Sequence, residues 1–477
     1  MPMEEQHKHL YESVADRITQ LIAQGTFRAG ERIPSVRQLS RQFQVSITTV
    51  LEAYRLLENR GTIEARPQSG YYVRASFPLA LEEPQISRPP IEPTPVSLGE
   101  LAVQILRDMG DPSRLQLGAA LPHPDVLQLE KLNRALARVA RRGDRMGSVY
   151  EMPPGYEALR LQIARRLTLA GCALAPSQIV ITSGCQEAIY LCLRAVCEPG
   201  DTVAIESPIF YGVLQAIESL GLKALEIPTH PRDGISLEAL TNAVETVSVK
   251  ACVVVSNYNN PLGSRIPDEN KRKLVELLAA RDIPLIEDDN YGELSFDTAR
   301  PMVAKAFDTN GLVLLCASFS KTLAPGYRIG WVAPGRYQAK VERLKVACNL
   351  ATSMPPQLAL AEYLEGGGYD HHLRRVRRIY AQHTARMAQA IGEYFPPGTR
   401  VTRPGGGFVL WVELRPHIDS VALYEQALRA GITLAPGPLF SATQKYRNFL
   451  RLNASYWSPE TERGLETLGK LAAGFPQ

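Results

Sequence analysis

The stretch that most restricts the fold of this chain is a proline-rich segment near residue 85. Residues 75–97 read ASFPLALEEPQISRPPIEPTPVS, with six prolines between positions 78 and 95 and no glycine. Proline fixes its φ angle and lacks a backbone N–H, so the segment cannot form a helix or a central strand. We expect a semi-rigid linker at 76–98. It divides the chain into an N-terminal module, residues 1–75, and a large unit, residues 99–477.

Composition narrows the class of protein. The chain has 477 residues, 45% hydrophobic and 21% charged, as in soluble proteins with more than one domain. A net charge of +4 gives no overall argument for a nucleic-acid partner. The seven cysteines are scattered and include no C-x-x-C pair, which favours reduced thiols in a cytosolic protein. The charged N-terminus lacks a signal-peptide pattern, and the apolar runs are too short to span a bilayer. We therefore predict a cytoplasmic protein without a membrane partner or a metal site.

The large unit alternates between short apolar runs and helical patterns. Such runs between helices favour a mainly parallel sheet that is covered on both faces, an α/β fold. From about residue 370 the pattern changes to helices and shorter strands, which predicts a small C-terminal α+β subdomain. The predicted strands are QIVIT (178–182), TVAIE (202–206), ACVVVS (251–256), PLIED (284–288) and LVLLCA (312–317).

The N-terminal module has the pattern of a helix-turn-helix followed by a β-wing. Ser35 and Gln38 form a capping box at the start of one helix, and Ser46 is a suitable N-cap for the next. The following stretch TIEARPQSGYYV predicts two β runs joined by a polar turn that contains Gly70. Small polar residues at the start of the second helix suit contact with the floor of a DNA groove.

Charge supports the same interpretation. Residues 26–75 contain eight arginines against four glutamates, so the excess charge of the whole chain fits within this stretch. A basic face on a helix-turn-helix indicates DNA binding, although a winged helix that binds a protein partner would show the same pattern. The predicted DNA-binding residues are Arg37, Ser46, Thr48, Thr49, Arg66 and Gly70.

The stretch SFSKTLAPGYRIGW (318–331) places Lys321 just after an apolar strand. A lysine in that position is either a solvated charge at a strand end or a nucleophile in a pocket that lowers its pKa. Its neighbours favour the second interpretation. Ser318, Ser320 and Arg328 can bind phosphate, and arginine suits bidentate phosphate binding.

Other strand ends carry residues of matching chemistry. Asp288 ends an apolar strand, where a carboxylate needs a cation such as a protonated pyridine nitrogen. Tyr291 and Asn260 could bond a ring oxygen, and Phe210 could stack on a planar ring. The turn TSGCQEA (182–188) leads into a helix whose free N–H groups form an anion site. All lie at carboxyl ends of strands, the usual ligand edge of an open α/β sheet. Together they indicate pyridoxal 5'-phosphate (PLP) bound to Lys321.

The N-terminal motif IPSVRQLSRQFQVSITTVLEAYRLLENRG…SGYYV resembles the DNA-binding domain of the GntR family of bacterial transcription regulators, over about residues 10–74. The family usually has arginine after the VS of the turn, whereas this chain has Ile47. The resemblance implies a double-stranded DNA operator as partner. The substitution implies an altered operator preference.

The large unit resembles the fold type I, class I aminotransferases over nearly its full length. The resemblance implies that Lys321 is the Schiff-base lysine, Asp288 the partner of the pyridine nitrogen, and Phe210 the stacking aromatic. Asn260 and Tyr291 match the residues that bind the ring 3′-oxygen. The phosphate cup corresponds to Gly184, Cys185, Gln186, Ser318, Ser320 and Arg328, with Cys185 in place of the usual hydroxyl residue.

Two further roles come from this resemblance alone. Tyr150, in YEMPPGYEALR, matches a tyrosine that reaches the phosphate of the neighbouring subunit. Arg451, in FLRLNASY, matches the arginine that binds the substrate carboxylate.

The two halves together resemble the MocR subfamily of GntR regulators. This implies a head-to-tail, domain-swapped homodimer in the bacterial cytoplasm, associated with the nucleoid when bound to DNA. Three functions stay open. The chain could be a regulator that senses PLP or an amino-group effector, an aminotransferase with a secondary DNA-binding module, or a PLP store without a ligand response.

Overall fold

The computed structural model describes residues 10–476 except 25, 28–30, 60–61, 67–68, 74–80, 128, 143–148 and 298. The chain forms two compact units. One lies within residues 1–81 and 385–393, and the other within residues 82–384 and 394–477.

The part of the first unit before residue 82 contains three helices and a hairpin, within its described residues: α1 (Leu10–Ala23), α2 (Val36–Phe43), α3 (Ile47–Asn59), β1 (Ile63–Arg66) and β2 (Gly70–Val73). Antiparallel pairing of β1 with β2 forms the wing, with Arg66 opposite Gly70. The predicted capping box at Ser35 and Gln38 is present. Leu39 of α2 and Tyr54 of α3 are buried in one apolar core. The predicted helix-turn-helix with a wing is therefore confirmed.

The large unit begins with short elements and then alternates strands and helices. Within the described ranges, no helix of the chain combines the length and the apolar character needed to cross a membrane. In chain order the elements are β3 (Thr94–Pro95), α4 (Gly99–Asp108), β4 (Leu115–Gln116), α5 (Glu130–Arg141), α6 (Glu157–Thr168), β5 (Val180–Thr182), α7 (Cys185–Val196), β6 (Thr202–Ser207), α8 (Tyr211–Ser219), β7 (Lys223–His230), β8 (Gly234–Ile235), α9 (Leu237–Thr246), β9 (Val249–Val254), α10 (Asp268–Ala279), β10 (Leu285–Asp288), β11 (Val313–Ser318), β12 (Gly330–Ala333), α11 (Gln338–Asn349), α12 (Met354–Glu365), α13 (Gly368–Tyr394), β13 (Arg400–Val401), β14 (Val409–Glu413), α14 (Ser420–Arg429), β15 (Ile432–Thr433), β16 (Ala435–Pro436), β17 (Phe449–Asn453) and α15 (Pro459–Ala473).

The main sheet has the order β3-β7-β6-β9-β10-β11-β12-β5, and β8 pairs with β7 at its edge. The strands from β7 to β11 are parallel, whereas β12 runs antiparallel to both β11 and β5. Successive residues of one strand enter cores on opposite faces, as Val313 and Leu314 do. All five strands expected from the sequence lie in this sheet, so the mainly parallel α/β fold is confirmed.

A smaller antiparallel sheet of order β13-β14-β17-β16 follows the long helix α13. This agrees with the subdomain that the sequence predicts from about residue 370. An earlier part of the chain also joins this region, because β4 pairs in parallel with β15. The sequence pattern gave no sign of that pairing, since β4 has only two residues.

The proline-rich segment differs from the expected linker, because residues from Glu82 onward pack on the large unit. Glu83 is ion-paired with Arg232, and Ser87 Oγ donates a 2.6 Å hydrogen bond to Ser207 O. Further on, β3 pairs antiparallel with β7. Prolines exclude helix and central strand, but they do not prevent irregular backbone from binding a surface through side chains and an edge ladder. Residues 76–80 of the expected linker lie outside the described residues.

Candidate functional site

Lys321 lies just beyond the end of β11, where it is partly buried. Its Nζ donates a 2.7 Å hydrogen bond to Ala120 O. Burial, together with the nearby guanidinium groups of Arg451 and Arg328, lowers the pKa of this amine to about 8, against the opposing charge of Asp288. A lysine with a lowered pKa is uncharged in a larger fraction of molecules and is therefore a better nucleophile near neutral pH.

Asp288 is the buried last residue of the neighbouring strand β10. Its Oδ1 accepts hydrogen bonds from Asn290 N at 3.0 Å and Asn290 Nδ2 at 2.8 Å, and Cys185 Sγ lies 3.7 Å away. Burial raises the pKa of Asp288 to about 6, although the backbone N–H of Asn290 and the charge of Lys321 oppose that rise. The carboxylate is therefore ionised at neutral pH and is suited to meet a cation.

Asn260 and Tyr291 lie near this edge and are both buried. Asn260 Oδ1 accepts a 2.9 Å hydrogen bond from Arg451 Nη1. The Tyr291 hydroxyl is buried with no hydrogen-bond partner among the described residues. An unpartnered buried hydroxyl is energetically unfavourable unless a ligand supplies the missing bond.

The turn before α7 forms a cradle with an exposed arginine. Gly184 caps α7 at φ +90°, and a Cβ built on it would lie 2.6 Å from Arg328 Nη2. The backbone of this turn therefore lies directly against the guanidinium, with no side chain between them. The N–H groups of the first turn of α7, including those of Cys185 and Gln186, form an anion site of the kind found at helix N-termini.

Several side chains of the predicted phosphate cup contact other groups of the protein. Gln186 Nε2 donates to Gly212 O at 2.6 Å, and the Cys185 thiol is directed at Asp288. Ser318 Oγ donates to Asn290 Oδ1 at 2.7 Å, whereas Ser320 is buried in the turn that follows β11.

Phe210 and Arg451 approach from two other elements. Phe210 precedes α8, and its ring centroid lies 4.6 Å from that of Tyr211. Arg451 lies on β17, fully buried, and its Nη2 donates to Gly118 O. Its guanidinium also lies over the rings of Tyr211 and Phe440, at 5.9 and 5.0 Å from their centroids. Burial lowers the pKa of Arg451. With no carboxylate among these contacts, the guanidinium can accept one from a ligand.

Tyr150 stands apart from this cluster. It is 74% exposed in the loop before α6, and among the described contacts of a single chain none joins it to the other predicted residues.

The helix-turn-helix places its predicted residues at the start of α3 and on α2. Arg37, Ser46 and Thr48 are exposed, whereas Thr49 is half-buried and bonded through its backbone N to Ser46 Oγ at 3.0 Å. Ile47, at the first position of α3, is 50% exposed. In the wing, Arg66 pairs with Gly70 through the backbone.

Sequence reasoning missed residues that support the site. Asn290 bridges Asp288 and Ser318, and only its position within EDDNYG could have suggested this. Glu206, at the end of β6, accepts hydrogen bonds from Val255 N and Asn259 Nδ2, both at 2.7 Å. Burial raises the pKa of Glu206 to about 8, so it is largely protonated at neutral pH. It orders the loop that carries Asn260.

Comparison with known proteins finds a matching family for each of the two units. Residues 120–468 match the model of aminotransferase class I and II, and residues 10–73 match that of bacterial regulatory proteins, gntR family. Two Escherichia coli proteins, each named an uncharacterized HTH-type transcriptional regulator, are similar over almost the whole chain. YdcR is 42% identical, covering 97% of this chain and 98% of that protein, and YjiR is 41% identical, covering 96% and 98%.

A solved structure gives the same result for the large unit. The crystal structure of Pyrococcus horikoshii kynurenine aminotransferase in complex with PMP matches with a TM-score of 0.73 and 29% identity, over 79% of this chain and 95% of that chain. The chain therefore belongs to the aminotransferase class I and II family and, with its gntR-family N-terminal region, is a GntR-type regulator of the MocR kind fused to an aminotransferase-like domain.

Proposed function

We propose that this protein is a transcription regulator that binds a double-stranded DNA operator and senses PLP, or an amino compound that reacts with PLP, in its aminotransferase-like domain. The observation that carries the proposal is the convergence of Lys321, Asp288 and the unpartnered hydroxyl of Tyr291 at one edge of the main sheet. The same chain also carries a winged helix in which Arg37 is exposed. An enzyme would not need such a DNA-binding module.

The residues at this edge fit PLP. The Tyr291 hydroxyl lacks a partner that a ring oxygen would supply, and the bare turn at Gly184 beside Arg328 fits a phosphate. When bound, PLP supplies a protonated ring that withdraws electrons from an attached amino compound. Support also comes from the Pyrococcus relative, whose structure contains PMP.

Each residue of this chain then has a defined task. Lys321 supplies an amine that is partly uncharged near neutral pH. Asp288 presents an ionised carboxylate to the ring nitrogen, and Asn260 and Tyr291 hold the ring oxygen. Phe210 stacks on the ring, and Arg451 binds the carboxylate of an amino ligand. Gly184, Cys185, Gln186, Ser318, Ser320 and Arg328 hold the phosphate.

We assign DNA recognition to the N-terminal unit. Arg37 and Arg66 bind phosphates, Ser46, Thr48 and Thr49 face the groove, and Gly70 shapes the tip of the wing. We further propose a head-to-tail, domain-swapped homodimer in the cytoplasm, which associates with the nucleoid when bound to DNA. The 74% exposure of Tyr150 supports a role toward the phosphate of the partner subunit.

Genome-wide DNA occupancy measured with and without PLP tests the regulatory function. It should be paired with a scan of amino acids for spectral change in the purified PLP-loaded protein. We expect discrete occupied sites whose number or strength depends on PLP or on one amino compound. Occupancy that is unspecific under every condition would contradict the proposal.

Aminotransferase activity is the second candidate, and Arg451 favours it. A buried guanidinium directed at the same cluster as Lys321 suits an amino acid as substrate. The test is a transamination assay with single amino-acid donors and a keto-acid acceptor. Turnover at rates usual for enzymes, without ligand-dependent DNA binding, would favour this second function.

A further inference from the structure

Asn290 bonds to two predicted site residues that belong to neighbouring strands. Its backbone N and its Nδ2 both donate to Asp288 Oδ1, at 3.0 and 2.8 Å. Its Oδ1 accepts the hydroxyl proton of Ser318 at 2.7 Å. The amide thus joins the end of β10, which carries Asp288, to the end of β11, which carries Ser318. None of the PLP-binding roles proposed above belongs to it.

The hydrogen bonds to Asp288 are asymmetric. Both donors from Asn290 approach Oδ1, and the Cys185 thiol approaches the same oxygen at 3.7 Å. Among the described residues, the hydrogen bonds to this carboxylate therefore all go to Oδ1. Since these three donors favour one rotation of the carboxylate, Oδ2 keeps no hydrogen-bond partner among the described residues and can meet a cation.

An amide is the group that this position requires. Its NH₂ donates to a carboxylate while its carbonyl oxygen accepts from a hydroxyl, and both happen at once. Aspartate has the same size but would place a second negative charge against Asp288. Alanine would leave the Ser318 hydroxyl and Asp288 Oδ1 each short of one partner.

We propose that Asn290 is a positioning residue for PLP: it fixes the Asp288 carboxylate so that Oδ2 meets the ring nitrogen, and the hydrogen bond from Ser318 holds the Asn290 amide in the orientation that this requires. The inference rests on the proposed PLP site and adds a residue to it. Asn290 acts through Asp288, so its effect should depend on Asp288 being present.

The experiment measures the PLP dissociation constant of the full chain by visible absorbance at pH 8. Asn290→Ala should weaken PLP binding about tenfold, the effect of losing one hydrogen bond to a charged group. Asn290→Asp, of equal size but without the donor, should weaken it at least as much. Asn310→Ala is the matched control, because Asn310 is an exposed asparagine whose side chain accepts only a hydrogen bond from Thr309, among the contacts described for it.

A double mutant separates positioning from a general structural effect. In the Asp288→Ala background, Asn290→Ala should cause no further weakening, since the group through which it acts is absent. An equal loss in both backgrounds would overturn the inference, as would wild-type affinity of Asn290→Ala. Near-UV circular dichroism checks folding, and the same-size Asp variant carries the test if the Ala variant does not fold. A wild-type chain that binds no PLP would overturn the proposed function instead.

Discussion

Arg451 Nη1 donates a 2.9 Å hydrogen bond to Asn260 Oδ1, across 191 residues of sequence. Arg451 lies on β17 of the small sheet, whereas Asn260 follows β9 of the main sheet. The two have separate proposed ligands, a carboxylate for Arg451 and a ring oxygen for Asn260. Because they share a bond, we expect a ligand that engages one of them to change the surroundings of the other, which would link the two sheets.

Arg451→Ala should retain PLP binding and basal DNA binding but lose the response to an amino ligand. The carboxylate of the ligand would have no guanidinium to draw it toward the small sheet, and an effector shifts an equilibrium only through differential affinity. The measurement is a titration of operator binding by fluorescence anisotropy, with an amino ligand that changes the visible spectrum. Arg447→Ala is the control, since Arg447 is 66% exposed and paired with Asp419. A normal response of Arg451→Ala would mean that the effector is PLP itself or a ligand without a carboxylate.

Lys321→Ala should abolish covalent attachment of PLP while the fold persists. In the wild type, the rate of attachment should rise with pH and level off above about pH 8, because the lowered pKa of Lys321 sets the fraction of uncharged amine. Borohydride reduction followed by peptide mass spectrometry identifies the modified lysine. Modification of another lysine in the wild type would remove Lys321 from this role.

PLP affinity should fall as the pH is lowered through about 6. Burial raises the pKa of Asp288 to about 6, so below that pH the carboxyl group is protonated. It then carries no negative charge to balance the positive charge of the protonated ring. Asp288→Asn should bind PLP on the order of a hundredfold more weakly at pH 8, as expected when a buried charge loses its partner. It should also lose the step near pH 6. A step of equal size in the variant would assign the pH dependence to another group.

Arg37→Ala should weaken operator binding and reduce the salt dependence. Each arginine–phosphate contact contributes about −0.9 to the slope of log affinity against log salt concentration, so one lost contact should flatten it by about one unit. Arg429→Ala, with a 77% exposed side chain on α14, is the control and should leave the slope unchanged. An unchanged slope for Arg37→Ala would show that Arg37 does not bind a phosphate.

The main features of both units could be predicted from the sequence because they depend on local patterns. The capping box at Ser35, the apolar strand before Asp288 and the glycine turn at Gly184 are each set by residues within a few positions. The carboxyl ends of parallel strands meet at one edge, so the cluster around Lys321 follows from the strand assignments. Arg451 and Tyr150 came only from resemblance, because nothing near them in sequence marks their roles.

Features that depend on distant pairs were not predictable. The packing of Glu83 against Arg232 joins residues 149 positions apart, and proline content says nothing about that partner. The pairing of the two-residue strands β4 and β15 is too short to leave a periodic pattern. Asn290 was missed because an asparagine after a strand usually indicates a turn, and its second bond goes to Ser318 on another strand.

The packing of residues 82–97 on the large unit has a practical consequence for building chimeric regulators. A cut at residue 98, where the proline-rich segment ends, would remove the Glu83–Arg232 ion pair, the Ser87 hydrogen bond and the β3 edge strand together. A different DNA-binding domain should therefore be joined before Glu82, so that the large unit keeps its own edge strand and the contacts of Glu83 and Ser87.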